Sequence, residues 1–209
     1  MRKFNLITLF LLLSALSVSF YAQGTMPGAI PARSKGPTDA PATLEVFNDY
    51  ACPACAHFND TLKTIASKYP AELQIVYRHL PLKAEGHENA RIAAQAVEAA
   101  GVQDKFWEMA DMILKNQEKW QAEKSALDAF IKYAKELELD VEKFKEDIGG
   151  EVVRQRINSD IERAVSLKIS STPTVILNGK MLSYSDFIQR ENLEELIKES
   201  IKNKIVISN

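Results

Sequence analysis

The sequence predicts an α/β fold in which a βαβ unit and a ββα unit are separated by a block of helices. Three observations predict it. Two short apolar runs flank an amphipathic stretch between residues 43 and 85. Helical patterns then follow one another from Gly86 to Leu167. An Asn178-Gly179 hairpin signal leads into a last amphipathic stretch. The chain has 209 residues, 46% hydrophobic and 26% charged, enough for one domain with a sizeable core. Its formal charge is -2 and its pI about 6.0, so no basic excess points to nucleic acid, and no long like-charge run forms an interaction tail.

The first element is a targeting segment. Residues 1–22 place Arg2 and Lys3 ahead of an uncharged apolar run, the pattern of an export signal. Ser17, Val18 and Ser19 offer small residues for cleavage; the alternative is an uncleaved membrane anchor. Either way the expected location is periplasmic or otherwise extracytoplasmic. Residues 23–42 hold Pro27, Pro31, Pro37 and Pro41 with Gly24, Gly28 and Gly36, and read as an extended, poorly ordered tether.

The folded domain is expected from about Thr43. "TLEVFND" is an apolar run ended by Asn and Asp, a strand. A helix follows the cysteines to about Lys68, with Phe58, Leu62, Ile65 and Ala66 on one face, and Tyr69-Pro70 ends it. "ELQIVYRHLPL" gives a second strand, parallel to the first through a right-handed crossover. Within 86–167 five helices are expected. The first begins near His87 and ends at Gly101, with His87 and Glu88 capping it or facing solvent. The next buries Phe106, Met109 and Ile113. Then come one capped at Ser125, one capped at Asp140, and one carrying Ile157, Ile161, Ala164 and Val165. Residues 168–209 return to β at "TPTVILNGKMLS" and end in a helix from about Glu191 to Asn203.

Four segments carry a resemblance: "FNDYACPACAHF" at 47–58, "YRHLPL" at 77–82, "HENARIAAQAVEAAGVQDKFWEM" at 87–109 and "STPTVILNG" at 171–179. Together they resemble the DsbA-like thiol:disulfide oxidoreductases of the thioredoxin superfamily. The resemblance implies a thioredoxin fold over residues 43–85 and 168–209, with a helical domain inserted at 86–167. It also implies a cis-proline loop placing Pro173 opposite the cysteines, with the Thr172 backbone as the edge on which a substrate strand docks. One position departs from the pattern. Thioredoxin relatives often carry a buried acid six residues before the first cysteine, where this chain has Val46; Glu45 is offset by one residue and should face the other side of the strand.

Cys52 and Cys55 are the only cysteines. A pair at this spacing can be a redox couple, half of a zinc site or a structural staple. Zinc needs four ligands, and His57, His79 and His87 are scattered. A staple closing so small a loop constrains the unfolded chain little. The redox reading makes Cys52 the exposed nucleophile at a helix N-terminus, with a lowered pKa, and Cys55 the deeper resolving thiol. Pro53 suits the first helical turn. Pro53 and Ala54 supply no side-chain donor or charge between the cysteines. Tyr50, just ahead of the turn, is expected to be exposed; Phe58, Phe106 and Trp107 are expected in the core.

The expected activity is introduction of disulfides into exported polypeptides by a monomeric enzyme without metal or other cofactor. With no further cysteine to relay electrons, the resemblance implies a separate quinone-linked membrane partner for reoxidation. A reductase or isomerase of the same fold is the alternative, and a non-catalytic chaperone or binding module belongs to another class.

Overall fold

The computed structural model describes residues 25–207; the expected signal or anchor at 1–22 lies outside them. No helix among the described residues is long and apolar enough to cross a membrane.

Five strands form one sheet: β1 (Arg33–Lys35), β2 (Ala42–Asn48), β3 (Leu73–His79), β4 (Thr174–Leu177) and β5 (Lys180–Met181), in the order β1-β3-β2-β4-β5. β2 and β3 run parallel, joined by α1 (Pro53–Lys68), as a βαβ crossover requires. β4 is antiparallel to β2, and Asn178 and Gly179, both at positive φ, turn the chain from β4 into β5. Two helices, α8 (Tyr184–Ile188) and α9 (Arg190–Ile207), end the described chain where one was expected.

Strand alternation divides β2 between two cores. Leu44 and Val46 face a large apolar cluster with α1, α9 and the inserted helices. Phe47 faces the other side, with Leu80, Ala164, Ile169 and Ile176. Between the two units lie six helices: α2 (Ala90–Val102), α3 (Phe106–Lys115), α4 (Gln117–Ala122), α5 (Ala126–Glu136), α6 (Val141–Ile148) and α7 (Glu151–Ser166). The sequence reading missed α4, which is one and a half turns long and shows no full apolar period. Ser125 and Asp140 cap α5 and α6 as expected, accepting from the N–H groups of Asp128 and Lys143. Val165, expected on the inner face of α7, is 68% exposed.

α2 is buried nearly all round, its small residues Ala93, Ala94, Ala96, Ala99 and Ala100 letting neighbouring elements approach. It starts at Ala90 rather than near His87, and Gly101 lies inside it instead of ending it. A Cβ at Gly101 would meet the Arg33 guanidinium at 2.5 Å; the glycine makes room for Arg33, which donates to its carbonyl.

The expected tether is not loose. Residues 33–35 pair antiparallel with β3 and extend the sheet, and Ala29 and Ala40 are buried. Polar anchors explain this. Arg33 donates to Glu98 on α2, and Ala29 N–H donates to Asp160 on α7. Arg78 and Arg163 donate to the carbonyls of Pro27 and Met26. Gly36, at φ +94, passes so close to β3 that a Cβ would stand 2.1 Å from the Leu73 carbonyl oxygen.

Candidate active site

α1 begins where the helix rules place it. Cys52 is the N-cap, in extended conformation, and Pro53 opens the helix without an N–H to leave unpaired. The Cys52 carbonyl accepts from Cys55 N–H at 3.1 Å and Ala56 N–H at 3.2 Å, closing the first turn. The Cys52 sulfur thereby stands at the N-terminal end of α1, near the N–H groups of Ala54 and Cys55. Both cysteines are free thiols. Cys52 is 8% exposed, less than the expected exposed nucleophile, and Cys55 is 1% exposed. Pro53 is exposed and Ala54 half-buried.

Across from them, the Thr172–Pro173 bond is cis. The Cys52 thiol lies 3.3 Å from the Thr172 carbonyl oxygen, to which its protonated form donates. The structure therefore brings together Cys52, Cys55 and the Thr172–Pro173 loop from positions about 120 residues apart.

The two thiols differ in acidity. Cys52 is lowered to about 5, chiefly because the Cys55 thiol donates to its sulfur. Burial opposes this, and the N–H groups of Cys55 and Ala54 and the Thr172 side chain add to it. Burial pushes Cys55 well up, and the neighbouring Cys52 thiolate pushes it further. At neutral pH the pair is one thiolate and one thiol.

The turn before Cys52 is held on both sides by groups the sequence reading did not assign. Asp49, 1% exposed, accepts from Ala51 N–H at 2.7 Å and Leu82 N–H at 2.9 Å. Its second oxygen also lies 2.7 Å from His87 Nδ1, so His87 braces this loop and does not cap α2. On the other side Gln117 and Gln121 of α4 donate to the carbonyls of Tyr50, Ala51 and Cys52. Asp49 had a local signal, an acidic residue two before the amide it accepts from. The glutamines had none, lying 65 or more residues from their acceptors.

Tyr50, expected to be exposed, is fully buried, its ring 6.2 Å from Tyr77 and 5.8 Å from His79. Both phenols are buried, and burial raises both pKa values well above the ordinary range. Phe58 and Phe106 are core residues, and Trp107 is half-buried against Tyr77. His57 is exposed. Among the described residues no cluster of His, Cys, Asp or Glu has the arrangement of a metal site.

Val46 is fully buried in the apolar cluster that includes Cys55, so the strand face toward the cysteines carries no acid at this position. Glu45 points the other way. Arg163 holds it through both carboxylate oxygens and Arg78 through one. Burial alone would raise its pKa; the hydrogen bonds from Arg163 and Arg78 outweigh that and leave it lowered.

The family model described as Thioredoxin matches residues 30–199. Among solved structures, oxidised BdbD from Bacillus subtilis superposes with a TM-score of 0.72 at 24% identity, over 82% of this chain and 93% of that one. Wolbachia pipientis alpha-DsbA1 gives 0.76 at 17% identity, over 86% and 96%. Among curated proteins, Na(+)/H(+) antiporter NhaA 1 of Salinispora arenicola is 35% identical over 146 residues, 70% of this chain and 21% of that protein. The chain thus spans about a fifth of the curated relatives it matches, and the antiporter name describes those longer proteins. Because the family match runs through both the cysteine pair and the Thr172–Pro173 loop, the chain belongs to the thioredoxin family, with the fold of its DsbA-like members.

Proposed function

We propose that this protein is an exported thiol:disulfide oxidoreductase that introduces disulfides into other polypeptides. The observation that carries the direction is the Cys52 thiolate, favoured down to about pH 5 beside a protonated Cys55. Stabilising the thiolate stabilises the reduced dithiol form relative to the disulfide, which raises the reduction potential. It also makes Cys52 a good leaving group.

In the oxidising half-reaction a substrate thiolate attacks Sγ of Cys52 in the Cys52–Cys55 disulfide. The Cys52–Cys55 bond breaks, a mixed disulfide forms, and Cys55 leaves with the electron pair and takes a proton. A second substrate thiolate then attacks the substrate sulfur and displaces Cys52 as thiolate. Two electrons pass from substrate to enzyme, and the substrate gains one disulfide. The carbonyl of Thr172 and the open side at Pro53 suit docking of an extended chain beside Cys52. With two cysteines in the chain and both in this couple, reoxidation requires an external acceptor, for which a quinone-linked membrane protein is the proposed class. The charged start and apolar run of residues 1–22 support export.

The test is the equilibrium of the Cys52–Cys55 pair with glutathione, run beside oxidation of a reduced, unfolded protein and reduction of insulin. A potential near -120 mV with oxidase activity lost in Cys52→Ser is the expected result; about -270 mV with insulin reduction would reverse the direction.

A further inference from the structure

The helical insertion reaches the reacting sulfur through α4. Trp120 anchors that short helix: its ring is fully buried against Phe130, and its Nε1 donates to the Ile113 carbonyl at 2.8 Å. From this base Gln117, 6% exposed, sends Nε2 to the Tyr50 carbonyl at 2.8 Å and the Cys52 carbonyl at 3.0 Å. Both N–H donors of the amide are thus used on the turn that carries the nucleophile. Gln121 donates to the Ala51 carbonyl, between them, at 3.0 Å. Three successive carbonyl oxygens are drawn toward α4 by two side chains. Local helix bonds already supply the Cys52 carbonyl with Cys55 and Ala56 N–H, so Gln117 is its third donor.

We propose that Gln117 and Gln121 are positioning residues for Cys52: their amides hold the Tyr50, Ala51 and Cys52 carbonyls away from the sulfur and leave the N–H groups of Ala54 and Cys55 facing it. Carbonyl oxygen is the negative end of the peptide dipole, so a turn free to rotate would expose a developing thiolate to repulsion. An amide donor on each oxygen fixes the rotation and offsets that partial charge. Neither glutamine touches the sulfur. The opposite side of the turn is held by Asp49, with His87 behind it, and Cys55 lies on α1. Glu118 and Lys119 of α4 line, with Pro53, a cavity of about 420 Å³ beside the turn.

This inference rests on reading Cys52 as a redox nucleophile, and one titration separates the two. Thiolate absorbance at 240 nm is followed against pH in the reduced full chain and in Gln117→Leu, Gln121→Ala and the double variant. The wild-type midpoint is expected near 5. Gln117→Leu should raise it by about one unit and Gln121→Ala by a few tenths. The glutathione equilibrium of Gln117→Leu should shift about tenfold toward the disulfide, about 30 mV. Unmoved midpoints and potentials with a lower melting temperature would overturn the proposal and leave the amides a purely structural role. If Gln117→Leu does not fold, Gln121→Ala decides, because Gln121 is exposed and its loss empties no core. A wild-type midpoint near the free-thiol value of about 8.5 would instead sink the redox assignment itself.

Discussion

Cys52 and Cys55 carry the same side chain three residues apart, and their surroundings lower the pKa of one thiol and raise that of the other. The sign of the pH effect follows from the lowered Cys52 pKa. In the reduced protein its contribution to stability is fully present above the unfolded thiol value and is lost as pH falls through about 5. Reactivity follows the same curve. Alkylation of reduced protein by iodoacetamide should label Cys52 at nearly constant rate from pH 8 to 6.5 and fall to half near the Cys52 value of about 5. Cys55 should stay unlabelled until the protein unfolds, because it is buried and its pKa is raised. A rate still climbing between pH 7 and 9 would contradict the thiolate assignment. At this scale Cys52 was legible as a helix-start residue from its spacing and from Pro53. Its low exposure was not, because the Thr172 side of the site is contributed by distant sequence.

Elements differed in legibility according to how local their causes are. β2, α1 and β3 appeared with their expected pattern because period-2 and period-3.6 burial is written in adjacent residues. The caps of α5 and α6 were legible for the same reason. Asp140→Ala removes the acceptor of the Lys143 N–H and should cost about 1 kcal/mol in urea unfolding while leaving the Cys52 titration unchanged. A shifted thiolate midpoint in that variant would mean that α6 is coupled to the site. The start of α2 was misplaced because His87 is recruited by Asp49, 38 residues earlier, instead of capping the helix behind it. α4 was missed because its role is to deliver two amides and one tryptophan, not to present an apolar stripe.

The whole molecule is closed by two buried charge clusters that tie its N-terminal segment to the layers. Glu98, fully buried on α2, accepts from Arg33 of β1 and Arg156 of α7 and contacts His79 Nε2 of β3 at 3.0 Å. Burial alone would raise its pKa; hydrogen bonding to His79 and the surrounding cations hold it far below the usual carboxylate range. Arg78 bridges Glu45 and Asp160 on the other side of the sheet. Glu98→Ala would leave His79 and two arginines without their shared acceptor and should cost about 3–5 kcal/mol in urea unfolding. A loss below about 1 kcal/mol would show that the N-terminal segment does not depend on this carboxylate. The lowered pKa values of Glu45 and Glu98 also set the acid response. Their stabilisation is present above the ordinary carboxylate value and is lost as pH falls toward their folded values.

The sequence by itself determined the βαβ and ββα halves around a helical block, and the cysteine pair at a helix N-terminus. Those features depend on residues within a few positions of one another. Tertiary structure decided what the N-terminal segment does, which acid braces the active-site turn, and which arginines hold Glu45. It also decided that α4 reaches the turn that carries Cys52. Each of these depends on a polar side chain finding a backbone group or an opposite charge far along the chain, and such pairing leaves no period in the sequence to read.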